Sequence, residues 1–244
     1  MSPPVRVAMW SGPRNISTAM MRSWESRPDT IVCDEPLYAR YLLATGVDHP
    51  CREETIARHE SDLESIIQWL TGPLPPGKSI FYQKHMSHHL LPGDDLGWTE
   101  SLTNVFFIRD PAEMITSYIR VVPEPRPEDL GLPQQIALFD RERRRTGRTP
   151  PVIDARDVLT NPRGMLNVLC ERLGLPFFES MLRWAPGPRE TDGAWAPAWY
   201  QAVWESRGFE PYQPRNRPVP GGLVEVEKTC RSMYDMLWAC RLTC

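Results

Sequence analysis

The segment Met9–Thr18, MWSGPRNIST, constrains this chain more than any other stretch. It follows the apolar run Val5–Met9 and precedes Ala19-Met20-Met21-Arg22-Ser23-Trp24, so an extended run, a Gly-Pro turn and a helical run stand in sequence. A strand, a tight loop and a helix in that order aim successive backbone N–H groups at one point with a helix N-terminus behind them, which favours a bound phosphate. Arg14, Asn15, Ser17 and Thr18 stand at the tip. The loop lacks the Gly-Lys-Ser/Thr ending with which nucleoside-triphosphate loops reach the phosphates and Mg²⁺, and this weakens a Mg-ATP reading. The expectation is a loop, Gly12, Pro13, Arg14, Asn15, Ile16, Ser17 and Thr18, that holds a phosphate which is not itself transferred.

Strand and helix patterns alternate along the rest of the chain. Val5–Met9, Thr30–Cys33, Ser79–Gln83, Val105–Ile108 and Val152–Asp154 read as strands. Val105–Ile108 is a continuous apolar run, as expected of a strand buried on both faces of a parallel sheet. Helices are predicted over Ser17–Glu25, Leu37–Leu43, Glu53–Leu70, Leu132–Arg145, Asn161–Leu173 and Leu223–Leu242. The Glu53–Leu70 helix rests on apolar residues at helical spacing, and the Asn161–Leu173 helix on an Asn N-cap followed by Pro. The region from Pro186 to Gly222 is rich in Pro, Trp and Gly and reads as an irregular lid carrying a helix over Trp199–Glu205. The pattern predicts a three-layer α/β fold: a P-loop-like parallel sheet of about five strands flanked by helices, with an irregular and helical C-terminal lid. One domain over 1–244 is expected, with a nucleotide-binding core at about 5–178 and the lid and closing helix at about 186–244.

Charge narrows the partners. The 28 basic residues face 31 acidic ones at a pI near 6.0, a balance with no field for gripping a nucleic-acid backbone. No apolar run approaches the ~20 residues of a membrane span, and Met1-Ser2-Pro3-Pro4 shows no charged-then-apolar leader. A cytoplasmic protein with no nucleic-acid or membrane partner is expected, with a homodimer left open. Cys33, Cys51, Cys170, Cys230, Cys240 and Cys244 form no CxxC pair and read as reduced, packed thiols. Arg141-Glu142-Arg143-Arg144-Arg145 reads as a solvated helix face.

Four separated segments resemble one family, the sulfotransferases that use 3′-phosphoadenosine-5′-phosphosulfate (PAPS). Pro13-Arg14-Asn15-Ile16-Ser17-Thr18 resembles the family's 5′-phosphosulfate loop. Phe107-Ile108-Arg109-Asp110-Pro111 with Ser117 is similar to its 3′-phosphate motif, in which a Ser stands eight positions after the Arg, as Ser117 does here. Asp157-Val158-Leu159 through Pro176-Phe177 resembles the helix that ends in a Leu-Gly turn. Lys84-His85 through Leu90-Leu91-Pro92 resembles the segment that carries a catalytic histidine in many members, with His85 here following Lys84 directly.

The resemblance implies transfer of a sulfonate group from PAPS to a hydroxyl of a small-molecule acceptor, with release of PAP and with no metal required. Arg14 would neutralise the departing 5′-phosphate oxygen, where negative charge grows as the bond breaks. A guanidinium can fork onto two oxygens in place of the family's usual lysine. Arg109 and Ser117 would hold the 3′-phosphate, with Arg215 and Arg217 closing over it. Arg109 leaves a buried strand and needs a partner, so an ion pair to Asp110 or Glu113 is the alternative. The acceptor's proton calls for a base. Glu35 resembles the base of a bacterial subgroup, His85 is an equal candidate, and His88 and His89 stand behind them; Lys84 would support the leaving group. Trp195, Trp199, Tyr200 and Trp204 would line the acceptor pocket or pack the lid. Two other readings are carried: a degenerate PAP-binding or scaffold module, and a P-loop metabolite kinase, which would need the Walker lysine that is missing here.

Overall fold

Each of the five apolar runs forms a strand. The computed structural model describes residues 3–214 and 217–244. In it β1 (Val5–Ser11), β2 (Thr30–Asp34), β3 (Ile80–Met86), β4 (Thr103–Ile108) and β5 (Val152–Asp154) pair in the order β2-β3-β1-β4-β5, all parallel. The chain steps outward from β1 to β2, returns through β3, and crosses to the other side of β1 with β4 and β5. Reversal of direction at β1 opens a crevice at the carboxyl ends of the strands, where open α/β sheets bind ligands.

Side chains alternate across the sheet and build two core layers. Ala8, Trp10, Phe81 and Phe106 pack with α4 (Leu63–Thr71), α5 (Pro111–Tyr118), α6 (Leu132–Thr146) and α11 (Val224–Trp238). Val7, Met9, Tyr82 and Phe107 pack with α1 (Ser17–Glu25), α7 (Ala155–Thr160) and α8 (Pro162–Arg172). These are the three layers that the sequence pattern predicts. A smaller cluster joins Tyr38, Tyr41 and Leu42 of α2 (Tyr38–Thr45) to Trp195, Ala196 and Tyr200 of the C-terminal segment.

Two predicted helices are each divided in two. The Glu53–Leu70 stretch forms α3 (Arg52–Arg58) and α4, because the Glu60 carboxylate takes the N–H groups of Ser61 and Asp62, both at 2.8 Å. Asp62 then accepts from the Ser65 N–H at 2.8 Å, an N-cap that restarts the helix. The Trp199–Glu205 stretch is divided at Tyr200 into α9 (Ala196–Trp199) and α10 (Gln201–Glu205). β3 also runs on to Met86, beyond the predicted end at Gln83, because Lys84, His85 and Met86 stay in register with Met9, Trp10 and Ser11.

α11 buries Cys230, Tyr234 and Leu237 in the core, so the closing helix is part of the sheet's outer layer. Arg231 pairs with Asp110 at 2.8 Å, and the Tyr234 hydroxyl donates to Asp154 at 2.9 Å. The arginine cluster of α6 makes surface ion pairs, Arg141 with Glu100 and Arg145 with Glu142. All six cysteines are free. Among the described residues no helix is long and apolar enough to cross a membrane.

Candidate active site

The loop after β1 is braced from behind. Asn15 donates to the Phe107 carbonyl on β4 at 2.7 Å and accepts from the Ile16 N–H at 2.8 Å. Arg109, at the end of β4, donates to the Arg14 carbonyl at 2.6 Å. These bonds hold Arg14 at φ +56°, a left-handed conformation that is uncommon for a residue with a side chain. A Cβ on Gly12 would lie 2.4 Å from the Leu130 carbonyl oxygen, so this close approach requires glycine. Gly12 supports the loop from beneath and does not border the cavity.

The tip of the loop opens on a cavity of about 990 Å³, open solvent at its mouth included, with residues 13–19 on its wall. α1 begins without a side-chain cap, which leaves the N–H groups of its first turn for a ligand beside Ser17, Thr18 and Ala19. The Arg14 Nε donates to Ser117 Oγ at 3.0 Å, across 103 positions of sequence, and its guanidinium lies 5.8 Å from the Trp199 ring. Asp110 caps α5 through the Ala112 and Glu113 N–H groups, which sets Arg109 and Ser117 at opposite ends of one short helix. Arg109 is ion-paired with Glu113: its Nε and Nη2 donate to Oε2 at 3.0 and 2.8 Å. Tyr212 donates to the other Glu113 oxygen at 2.7 Å.

The same cavity is lined by members of a buried charge network, Glu35, Lys84 and Tyr200. The Lys84 ammonium donates to Asp34 Oδ1 and Glu35 Oε1, both at 2.8 Å, and to the Tyr200 hydroxyl at 2.5 Å. An ammonium has three N–H donors, and all three are matched. Tyr200 in turn donates to Asp34 Oδ2 at 2.7 Å and accepts from Trp195 Nε1 at 2.9 Å. Burial pushes the Glu35 carboxyl above its usual range; Lys84 opposes the rise and Asp34 adds to it. Burial works against the charge on Lys84, yet Asp34 and Glu35 outweigh it and hold the pKa above normal. Glu35 sits at φ +40°, with its N–H on the Lys84 carbonyl at 2.9 Å.

The histidines fall on two sides of the sheet. His88 and His89 follow β3 and border the cavity, and His89 stacks on Tyr38 with ring centroids 4.6 Å apart. Burial draws the His88 pKa down to about 3, and that of His89 well below normal, so both are neutral imidazoles. His85 points to the opposite face. It stacks on Trp10 at 4.2 Å, meets Gln83 at 3.2 Å, and is held at about 3 by burial. It does not border the cavity, which corrects its placement beside Glu35: adjacent residues of a strand face opposite ways. Trp195, Trp199 and Tyr200 line the cavity, whereas Trp204 does not and donates to Asp192 at 2.9 Å. Arg217 is exposed and does not border the cavity, and Arg215 lies outside the described residues.

Sequence reasoning missed Tyr38, His49, Met86 and Tyr118 in the cavity wall, and Asp34 as a partner of Lys84. Tyr118 carried a signal, because it directly follows Ser117 on the last turn of α5.

Residues 5–227 match a family model described as a sulfotransferase domain. Branched-chain-amino-acid aminotransferase-like proteins 1 and 2 of Arabidopsis thaliana are 35% identical over 240 residues and 34% identical over 229. Those alignments take in 97% and 93% of this chain but 42% and 40% of the relatives, so the chain spans under half the length of the curated proteins it matches. Among solved structures, a sulfotransferase from Alicyclobacillus acidocaldarius superposes with a TM-score of 0.60 at 14% identity, over 100% of this chain and 98% of its own. The sulfotransferase domain from the curacin biosynthetic pathway gives 0.57 at 15% identity, over 94% and 99%. At such identities these two matches establish the fold.

Proposed function

The chain belongs to the sulfotransferase domain family, and from that premise we propose that it transfers a sulfonate group from PAPS to a hydroxyl of a small-molecule acceptor and releases PAP. The observation that carries this reading is the Arg14–Ser117 hydrogen bond, made on a cavity that Glu35 also lines. It joins the two segments that resemble the family's two phosphate motifs and puts a cation on the same cavity as a carboxylate.

Bound PAPS supplies an activated sulfonate whose bridging oxygen gains negative charge as its bond to sulfur breaks. The first-turn N–H groups of α1 with the Ser17 and Thr18 hydroxyls suit the 5′-phosphate, and Arg14 meets the growing charge without reorganisation. Ser117 and Arg109 suit the 3′-phosphate. Arg109 directs three of its five N–H groups at Glu113 and the Arg14 carbonyl, which leaves two for a phosphate. The reading needs no metal, because Arg14 supplies the cation.

Glu35 is the base that the electrostatics favour. Burial raises its pKa towards the working pH, where a general base is most effective. The His88 imidazole, drawn down to about 3, has little affinity for a proton. Lys84 has no donor left for a leaving group; it holds Glu35 in place and offsets the cost of burying its charge.

Thermal unfolding with PAP and with Mg-ATP tests the reading. At 100 times its Kd, PAP stabilises by about 2.7 kcal/mol, which corresponds to roughly 5–11 °C in a chain of this size, while Mg-ATP gives little. Arg14→Ala keeps its fold and loses on the order of 10²–10³ in turnover. Absence of a PAP shift overturns the proposal, and PAP binding without transfer to any hydroxyl compound reduces the chain to a PAP-binding module.

A further inference from the structure

A second concavity is lined by residues that the catalytic cavity does not use. It measures about 770 Å³, open solvent at its mouth included, a size suited to a small molecule. Its wall carries Arg163, Arg183 and Arg207 and no acidic residue, in a chain whose net charge is -3. Arg163 is ion-paired with Glu179. The guanidinium groups of Arg183 and Arg207 have neither an ion pair nor a hydrogen bond among the described residues.

A short clasp brings these two cations to one wall. Arg183 pairs with Gly208 in an antiparallel bridge, and the Trp184 N–H donates to the Arg207 carbonyl at 3.1 Å. The Trp184 indole donates to Ser206 Oγ at 2.9 Å, and its ring meets that of Phe209 edge-on with centroids 5.2 Å apart. A Cβ on Gly208 would lie 2.9 Å from the Leu182 carbonyl oxygen, so the two segments approach closely because residue 208 is glycine. A concave wall of one sign focuses its field on a counter-ion. The neutral polar groups of the wall are already engaged: Thr160 Oγ donates to the Arg156 carbonyl at 2.7 Å, and Asn161 caps α8 through the Gly164 N–H at 3.0 Å. The two unpaired guanidinium groups are therefore what the wall offers a ligand. Pro162, Leu182 and Phe209, each half-buried, supply its apolar part.

We propose that this concavity binds a phosphate monoester, with Arg183 and Arg207 on the phosphate and the organic part against Pro162, Leu182 and Phe209. A guanidinium forks onto two phosphate oxygens, and a monoester carries close to two negative charges at neutral pH, which matches two unpaired cations. A sulfate ester, the class of product proposed above, carries one. The site is separate from the proposed sulfonate transfer and does not rest on it.

Calorimetry tests the proposal with phenyl phosphate, against phenyl sulfate as the singly charged counterpart and inorganic phosphate as the one without an organic part. Phenyl phosphate is expected to bind roughly threefold or more tighter than either. Combining Arg183→Gln with Arg207→Gln is expected to weaken it about tenfold or more, the loss of charged hydrogen bonds. Because both side chains are exposed, the melting temperature of that variant should stay within about 2 °C of wild type. Combining Arg143→Gln with Arg144→Gln removes the same charge from exposed positions on α6, outside the concavity. The binding that the first pair loses should persist within about twofold in this second pair and in Arg14→Ala. Failure of wild-type protein to bind phenyl phosphate overturns the proposal, as does equal affinity for phenyl sulfate or inorganic phosphate, or an equal loss in the α6 pair. A loss in Arg14→Ala in place of the Arg183 and Arg207 pair assigns the ligand to the loop after β1 and overturns it as well.

Discussion

Replacing Lys84 by Met removes the cation at the centre of the buried network and leaves two carboxylates facing each other. The Lys84 side chain is 1% exposed, with Asp34 and Glu35 oxygens both at 2.8 Å. Each contact is an attraction of about 6 kcal/mol at an effective dielectric near 20. Burying the ammonium cancels several kcal/mol of this, so the net loss expected on breaking such a network is about 3–5 kcal/mol. For a chain of this size that is a fall of roughly 6–20 °C in melting temperature. The pH dependence has a definite sign. In the wild type the folded pKa of Lys84 is raised, so its contribution is complete below about 10.5 and is lost only as pH rises through the folded value. Without Lys84, burial pushes the Glu35 carboxyl further up. Its folded form then holds a proton that the unfolded chain has released, and stability declines as pH rises above about 4.3, by at most about 1.4 kcal/mol per unit. Circular dichroism melts between pH 5 and pH 8 should therefore show a deficit that grows towards pH 8, and adding Glu35→Gln should recover much of it. A single variant that loses less than about 2 °C across this range would refute the assignment of Lys84 as the buried partner of both carboxylates.

Two further outcomes follow from the site. Glu113 occupies the fork of Arg109 through one oxygen and is held there by Tyr212 through the other. Because a phosphate competes for the same guanidinium, Glu113→Gln is expected to tighten PAP roughly threefold or more by calorimetry, and weaker PAP binding would show that the carboxylate serves to orient Arg109. His85 lies behind β3 against Trp10. His85→Phe is therefore expected to keep turnover within about threefold, whereas Glu35→Gln loses on the order of 10²–10⁴ as a general base is removed; the opposite ranking in steady-state rates would transfer the base to His85.

Parts of this arrangement were legible in the sequence because they depend on neighbours close in the chain. The loop between β1 and α1, the Arg109–Ser117 spacing and the Asn161 cap involve residues within about three helical turns, and each appears where the sequence places it. The Glu53–Leu70 stretch read as one helix because its apolar stripe passes over Glu60 and Asp62, whose side chains capture backbone N–H groups and divide it in two. The choice between Glu35 and His85 was open only while β3 was taken to end at Gln83. Gln83, Lys84 and His85 look like the polar exit of a strand, since burying three such residues is costly unless each is matched. Gln83 is matched by the Leu70 carbonyl and Lys84 by two carboxylates and a phenol, while His85 meets Gln83 through Nε2 and stacks on Trp10, with its buried Nδ1 left unpaired among the described residues.

Once the strand runs to Met86, its period of two decides the matter, because Lys84 and Met86 face the cavity with Tyr82 behind them, and His85 cannot join them. Parallel register then sets Lys84 beside Asp34, so the sequence held enough to name that partner. A buried charge read from sequence implies a partner, and the partner can be named when it lies one helical turn away, as Glu113 does from Arg109, or in register on the next strand. Tyr200 meets neither condition. It reaches Asp34 across 166 positions, from the break between two short helices, and only the docking of the C-terminal segment on α2 brings it there. The network around Glu35 therefore includes a residue whose position is set by packing among Tyr38, Tyr41, Leu42 and Trp195, a contact set that no local pattern encodes.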